Sequence, residues 1–206
     1  MESGFHFYEP GRGHGLPHDP FNAIVGPRPI GWISTHDGAG RFNLAPYSFF
    51  NAFAYKPPII GFSSSGTKDT LRNARDTGEF VWNLATRSLA EQMNITAGSA
   101  GRDVSEFDVA ALTPVPSRLV AAPRVAESPV ALECRVTQIV QMIDRHQAPM
   151  PNWVVFGEVV GVHIARHLLV EGVYDTAAAR PILRAGGTDV YLEVTPDAVF
   201  RMKRPG

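Results

Sequence analysis

The chain has 206 residues with 19 Lys plus Arg against 20 Asp plus Glu. That balance, a net charge of −1, argues against a nucleic-acid backbone or an anionic bilayer as principal partner. The single cysteine, Cys134, excludes an internal disulfide framework and cysteine-rich zinc or iron–sulfur sites, and it favours a reducing compartment. No segment has the uninterrupted apolar length needed to span a bilayer, and Met1–His6 lacks a basic start followed by an apolar run. The expectation is a cytoplasmic protein with one domain over residues 21–206, preceded by an arm over residues 1–20.

Residues 9–20 are rich in Gly, Pro and His, a composition that resists both helix and sheet. His14 and His18 have the spacing of a metal pair, but no helix would hold them and no third ligand is near, so they read as solvated loop histidines. From Ile30 to Thr35 the β-branched and aromatic content predicts a strand, and Asp37-Gly38-Ala39-Gly40 predicts a hairpin reversal. The segment Arg41 to Phe53 is aromatic-rich and neither alternates cleanly as a strand nor repeats as a helix. Within it Asn43 and Ser48 offer side-chain hydrogen bonds, and Ala45-Pro46 keeps the backbone thin, so that peptide groups can approach a flat ring edge.

Pro57-Pro58 precedes a short strand over Ile59–Ser63, and Thr67 to Asp76 reads as a helix closed by Gly78. Glu79–Leu84 returns to strand, and Ser88 with Glu91 fits a capping box before a second helix. Residues 97–128 lose periodicity and read as a long connection with a helical turn near Glu106-Phe107-Asp108. Val130, Leu132, Cys134 and Val136 then alternate with Glu133, Arg135 and Thr137, the period of a half-buried strand with Cys134 in the core. Trp153 to Ile164 is apolar on both faces, which suggests cover by a partner subunit. Strands at hairpin spacing with only short helices favour an antiparallel barrel over alternating β and α units.

Four linked stretches carry a resemblance: Pro27–Thr35, Asn43–Ser48, Pro57–Ser65, and Lys68-Asp69-Thr70. Together they resemble the flavin reductase-like family of FMN-binding split β-barrels, in its flavoredoxin-like branch, over roughly residues 20–195. The resemblance implies a mainly β fold: a six-stranded antiparallel split barrel of Greek-key type with short peripheral helices. It also implies a homodimer with flavin near the subunit interface, bound FMN, NADH or NADPH as reductant, and a downstream oxygenase or other electron acceptor.

By the same resemblance, Trp32, Ile33, Ser34, Thr35 and Asn43, Leu44, Ala45, Pro46, Tyr47, Ser48 line the flavin. From the residues themselves, Trp32, Tyr47, Phe49 and Phe50 read equally well as core aromatics. A phosphate needs converging N–H groups, hydroxyls and a cation; a helix start supplies the first, and Ser63, Ser64, Ser65, Thr67, Lys68, Asp69 and Thr70 surround one. No P-loop or dinucleotide-binding glycine signature is present. His163 is either a satisfied core histidine or a contact to nicotinamide or flavin, and Arg184 either a partner of phosphate or flavin or a surface ion pair. No nucleophile elbow and no acidic pair presents itself, so hydrolysis is disfavoured. The rival class is an FMN-carrying electron-transfer protein without a nicotinamide site; a split-barrel module that has lost its flavin is weakened by the presence of Asn43, Ser48, Lys68 and Thr70.

Overall fold

The structure is a computed structural model that describes residues 4–98, 101 and 104–205. Its main sheet contains β1 (Gly31–His36), β2 (Phe42–Tyr47), β3 (Phe50–Tyr55), β4 (Pro58–Ser65), β5 (Glu79–Asn83), β6 (Val130–Ile143) and β7 (Pro149–Ile164). These run in the spatial order β2-β1-β5-β6-β7-β4-β3, with every neighbouring pair antiparallel. The two edge strands of this order, β2 and β3, are joined by Ser48 and Phe49 alone. A link of two residues spans only a few ångströms, so the sheet must curl until its edges meet. The Ser63 amide donates to the Phe49 carbonyl at 2.8 Å, carrying the β3–β4 ladder up to that corner, and the Tyr47 ring of β2 lies 4.8 Å from the Phe62 ring of β4 just inside it. The result is a barrel split at the β2–β3 corner.

The main sheet therefore has seven strands rather than the expected six. The added one explains why Arg41 to Phe53 matches no single periodicity: its two halves are separate strands on opposite edges of one sheet.

Inside the barrel, Ile33, Phe62, Phe80, Cys134 and Val155 form the core, and α2 (Asp69–Thr77) closes one end with Leu71 and Ala74. Alternation along β1 sends Trp32 to the other face, where it joins Leu44, Met93 and Phe107 in a second core. That core lies under α3 (Ala90–Ile95) and α4 (Glu106–Val109), and Trp32 Nε1 donates to Thr96 Oγ1 at 3.0 Å. Ahead of the barrel, Asp19 accepts the amide of Phe21 at the start of the single turn α1 (Phe21–Ile24). The helical turn expected near residue 106 is α4, inside a connection that also forms a short hairpin of Pro114–Val115 with Arg124–Val125.

Three local expectations are corrected. Ser88 and Glu91 make no capping box: a 3-10 turn over Arg87–Leu89 leads into α3, and the Ser88 hydroxyl meets that of Thr86 at 3.0 Å. Glu133 does not share the solvated fate of Arg135 and Thr137. It is fully buried, and its carboxylate accepts the amides of Arg118 and Leu119 at 2.8 and 2.6 Å and contacts His163 Nε2 at 2.5 Å. Glu79 holds the amides of Ala121 and Ala122 in the same manner, with His36 on the same oxygen, so two buried carboxylates pin the loop over residues 118–122.

The third concerns β7, where the strict alternation of a regular strand would set Gly157 and Gly161 on one face with His163. A bulge intervenes, because Val159 pairs with Cys134 and Gly161 with Glu133, leaving Val160 as the extra residue. Gly157 consequently faces the barrel core, where an added Cβ would stand 2.5 Å from Phe80, whereas Gly161 faces Glu133 at 3.2 Å on the opposite side.

Candidate functional site

The split in the barrel opens a cleft of about 530 Å³. One wall is β2 and the corner that follows it, from Asn43 to Phe49; the other is the end of β4 and the start of α2, from Ser63 to Arg72. Thr96, Ala97, Gly98 and Glu106 form the rim. Of the expected site residues, Asn43, Ala45, Pro46, Tyr47, Ser48, Ser63, Ser65, Lys68, Asp69 and Thr70 are brought together here, along with Thr67.

The sequence makes this wall locally. Pro46 contributes no amide, so the edge of β2 carries one donor fewer along the cleft. The Asn43 amide donates to Thr70 Oγ1 at 2.8 Å and fastens β2 to the first turn of α2. Lys68 is the N-cap of α2, and it makes no side-chain cap hydrogen bond. A helix start without a side-chain cap presents amide donors and the positive end of its dipole, which together suit an anion.

Two buried polar atoms of this wall have no hydrogen-bond partner within the described residues. Tyr47 is 7% exposed, and its hydroxyl is buried without a hydrogen bond of adequate geometry. Burial pushes the Tyr47 phenol upward from its ordinary pKa, against the pull of the nearby Thr70 and Ser64 hydroxyls. The second is Arg72, whose Nη2 is paired with Asp69 while its Nε is buried without an acceptor. Among the described residues these are the buried side-chain polar atoms left unpartnered, and both belong to residues on the cleft wall. Leaving a buried donor unmatched costs roughly 1–3 kcal/mol, so a ligand oxygen at either place would recover that loss.

The charge in the cleft is mixed. Lys68 and Arg72 face the carboxylates of Asp69 and Glu106. Burial pushes the Glu106 carboxyl above its usual range, offset in part by the Leu44 amide that it accepts at 3.1 Å and reinforced by Asp69. Glu106 thereby occupies the outward donor of the edge strand β2.

The other expected residues lie elsewhere. Trp32, Ile33, Ser34 and Thr35 stand one strand behind the wall: in the register of β1 on β2 they pair with Pro46, Ala45, Leu44 and Asn43, and all four are fully buried. Ser34 Oγ donates to the Pro123 carbonyl at 2.5 Å and Thr35 Oγ1 accepts from Asn73 at 3.1 Å, so their side chains are engaged away from the cleft. Leu44 is core, and the buried Ser64 hydroxyl donates to the Gly66 carbonyl at 3.1 Å.

His163 is held by Glu133 beside a separate hollow that includes Arg118 and Arg124. Arg184 donates to the carbonyls of Gly187, Thr188 and Val190 at 2.9–3.0 Å and lies 4.8 Å from the Tyr191 ring, organising its own loop. Cys134 is core, and burial raises its thiol pKa well above the ordinary value.

Arg72, Glu106 and the Thr96–Gly98 rim were not singled out from sequence. Arg72 carries a usable signal, since it stands four residues after Lys68 and a helical side chain leans back toward the N-terminus of its helix. Glu106 and the rim come from the long connection, and nothing in their local pattern brings them to β2. Arg28 lies in the Pro27–Thr35 stretch, ahead of the residues expected at the flavin. It is almost fully buried and donates from Nε to the Ser48 carbonyl at 2.9 Å and from Nη1 to the carbonyls of Val25, at 2.9 Å, and Asn22, so it locks the β2–β3 corner to α1.

Comparison with known proteins agrees with this geometry. The profile described as "Flavin reductase like domain" matches residues 26–182. An uncharacterized protein of Aquifex aeolicus is 39% identical over 170 residues, covering 80% of this chain and 83% of the relative. Nitrilotriacetate monooxygenase component B from Bacillus cereus is similar in structure with a TM-score of 0.81 and 31% identity, over 88% of this chain and 90% of the other. Flavoredoxin of Desulfovibrio vulgaris superposes with a TM-score of 0.74 and 25% identity, over 86% and 90% of the two chains. The split barrel, the cleft at its corner and the profile match over most of the chain together place this protein in the flavin reductase-like family.

Proposed function

We propose that the protein is an FMN-binding oxidoreductase that accepts hydride from NADH or NADPH. The observation that carries this reading is the pair of buried, unpartnered polar atoms on Tyr47 and Arg72, both on the wall of the one cleft where the flavin-facing motifs converge. The residues fit FMN. Thr67, Lys68 and Thr70 at the start of α2 would hold the phosphate, and Asn43, Ser48 and the backbone at Ala45-Pro46 would face the ring edge. One phosphate cluster and no second nucleotide site among the motifs favour FMN over FAD.

A bound flavin supplies two-electron redox chemistry of its own, and the protein supplies position, hydrogen bonds and shielding. The chain does this with amides, hydroxyls and a narrow wall; the cleft offers no nucleophile paired with a base, so no side chain is assigned as an obligatory acid or base. In this reading the protein works as a cytoplasmic homodimer, supported by exposed apolar side chains beside β7, with Phe53 against Phe156 58% exposed and Val140 opposite Val154 42% exposed, and it passes electrons to an oxygenase or another acceptor. No helix among the described residues is long and apolar enough to cross a membrane.

The second reading, an FMN-carrying electron-transfer protein, is favoured by the likeness to a flavoredoxin. Anaerobic mixing of the FMN-loaded protein with NADH and then NADPH separates the two: loss of flavin absorbance with either nucleotide is expected of a reductase. Reduction by neither, with electrons taken from a partner protein instead, would transfer the assignment to the carrier. Sedimentation at micromolar concentration tests the dimer, and a stable flavin-loaded monomer would count against it.

A further inference from the structure

Arg72 is absent from the motifs that suggested a flavin site, yet it stands on the cleft wall at the first turn of α2, four residues after Lys68. Its guanidinium is half satisfied. Nη2 is paired with Asp69, an i,i+3 contact within the helix, while the buried Nε has no acceptor. A guanidinium keeps its charge at all accessible pH and presents five donors in a fixed fork, so an unmatched N–H held in place by a second contact on the same group is aimed at a defined point. Asp69 supplies that second contact, which sets the plane of the fork.

The acceptor that fits is an anionic oxygen. The same turn of helix presents amides uncapped by any side chain, the Lys68 ammonium and the Thr67 and Thr70 hydroxyls all border the cleft, and a neutral carbonyl ligand would leave two cations there only partly matched. Resting on the FMN reading above, we infer that Arg72 is a second cation of the phosphate subsite, with Nε donating to a phosphate oxygen, and that Asp69 is the positioning residue that orients it. The two carboxylates in the cleft, Asp69 and Glu106, offset the two cations, so affinity for the phosphate depends on directed hydrogen bonds more than on net charge.

The test uses the full chain and the ratio of riboflavin to FMN dissociation constants, read by flavin fluorescence, because this ratio isolates the phosphate. In the unmodified protein FMN should bind more tightly than riboflavin. Arg72→Gln should lower the ratio by roughly ten- to one-hundred-fold with riboflavin binding and melting temperature unchanged, the range expected for one charge-assisted hydrogen bond. Arg72→Lys, which keeps the charge and loses the fork, should recover only part of it. Asp69→Asn should make the ratio as poor as Arg72→Lys does, through loss of orientation. Inorganic phosphate should compete with FMN for the unmodified protein, with an inhibition constant lower than for Arg72→Gln.

An unchanged ratio in Arg72→Gln, or equal weakening of both flavins, would overturn the inference while leaving the FMN site standing. Failure of the unmodified protein to bind either flavin would remove the FMN reading itself, and the inference with it.

Discussion

The Asn43 side-chain amide donates to the Thr70 hydroxyl at 2.8 Å, so the edge strand that forms one wall of the cleft is tied directly to the helix start that forms the other. Removing that tie should loosen the site more than the fold. Asn43→Ala is expected to lose roughly 0.5–1.5 kcal/mol of stability, the usual net worth of one hydrogen bond, and to weaken both FMN and riboflavin, because the width of the cleft changes for each. Chemical denaturation and flavin titration check the two parts separately.

Lys68 should behave differently. As the N-cap of α2 it makes no capping bond, so Lys68→Ala should leave stability nearly unchanged and cost about one to two decades in FMN affinity, with riboflavin little affected. Equal weakening of both flavins would mean that Lys68 supports the fold instead of gripping phosphate.

Glu133 links stability to pH. Burial works to raise its pKa, but the amides of Arg118 and Leu119 and the contact with His163 outweigh burial and hold it below the usual carboxylate range. A depressed folded-state pKa gives stability that is fully present above the unfolded value, about 4.3 for Glu, and is lost as pH falls through the folded value. Glu133→Gln should therefore be less stable at pH 7 by roughly 1.5–3 kcal/mol, and the gap from the unmodified protein should close on acidification below that range. Melting curves for the two proteins across pH 3–7 would show it; a gap independent of pH would contradict the assignment.

The β7 bulge makes a prediction from its two glycines. Gly157→Ala puts a methyl 2.5 Å from a ring carbon of Phe80 in the closed core and should cost about 1–3 kcal/mol. Gly161→Ala meets the Glu133 side chain at 3.2 Å and should cost less, and the same measurement on both variants ranks them. The reverse order would place the wrong glycine in the barrel.

What could be read from sequence and what could not divide along physical lines. Helix α2 was legible because its apolar residues keep one period against one core, with Leu71 and Ala74 buried as that pattern requires, and β1 and β5 because short β-branched and aromatic runs read as strands even where, as here, both faces are covered. The cleft wall from Ser63 to Thr70 was legible because it is contiguous, so a local motif contains most of it. Trp32 to Thr35 are expected at the flavin by the family resemblance alone. Only the register shows that they back the wall with their side chains turned into two cores and a polar network. Residues that reach the site across long sequence separations left no local trace: Glu106 is 62 residues from the Leu44 amide it accepts. The bulge at Val160 was equally hidden, since one inserted residue reverses the faces without changing the apolar composition.

Hydrogen exchange with and without FMN tests directly whether the cofactor sits in this cleft. Added FMN should protect amides in residues 43–49 and 63–72, the two walls of the cleft, while the segments around His163 and Arg184 exchange as before. Protection confined to residues 162–167 or 182–193, with the cleft walls unaffected, would contradict it.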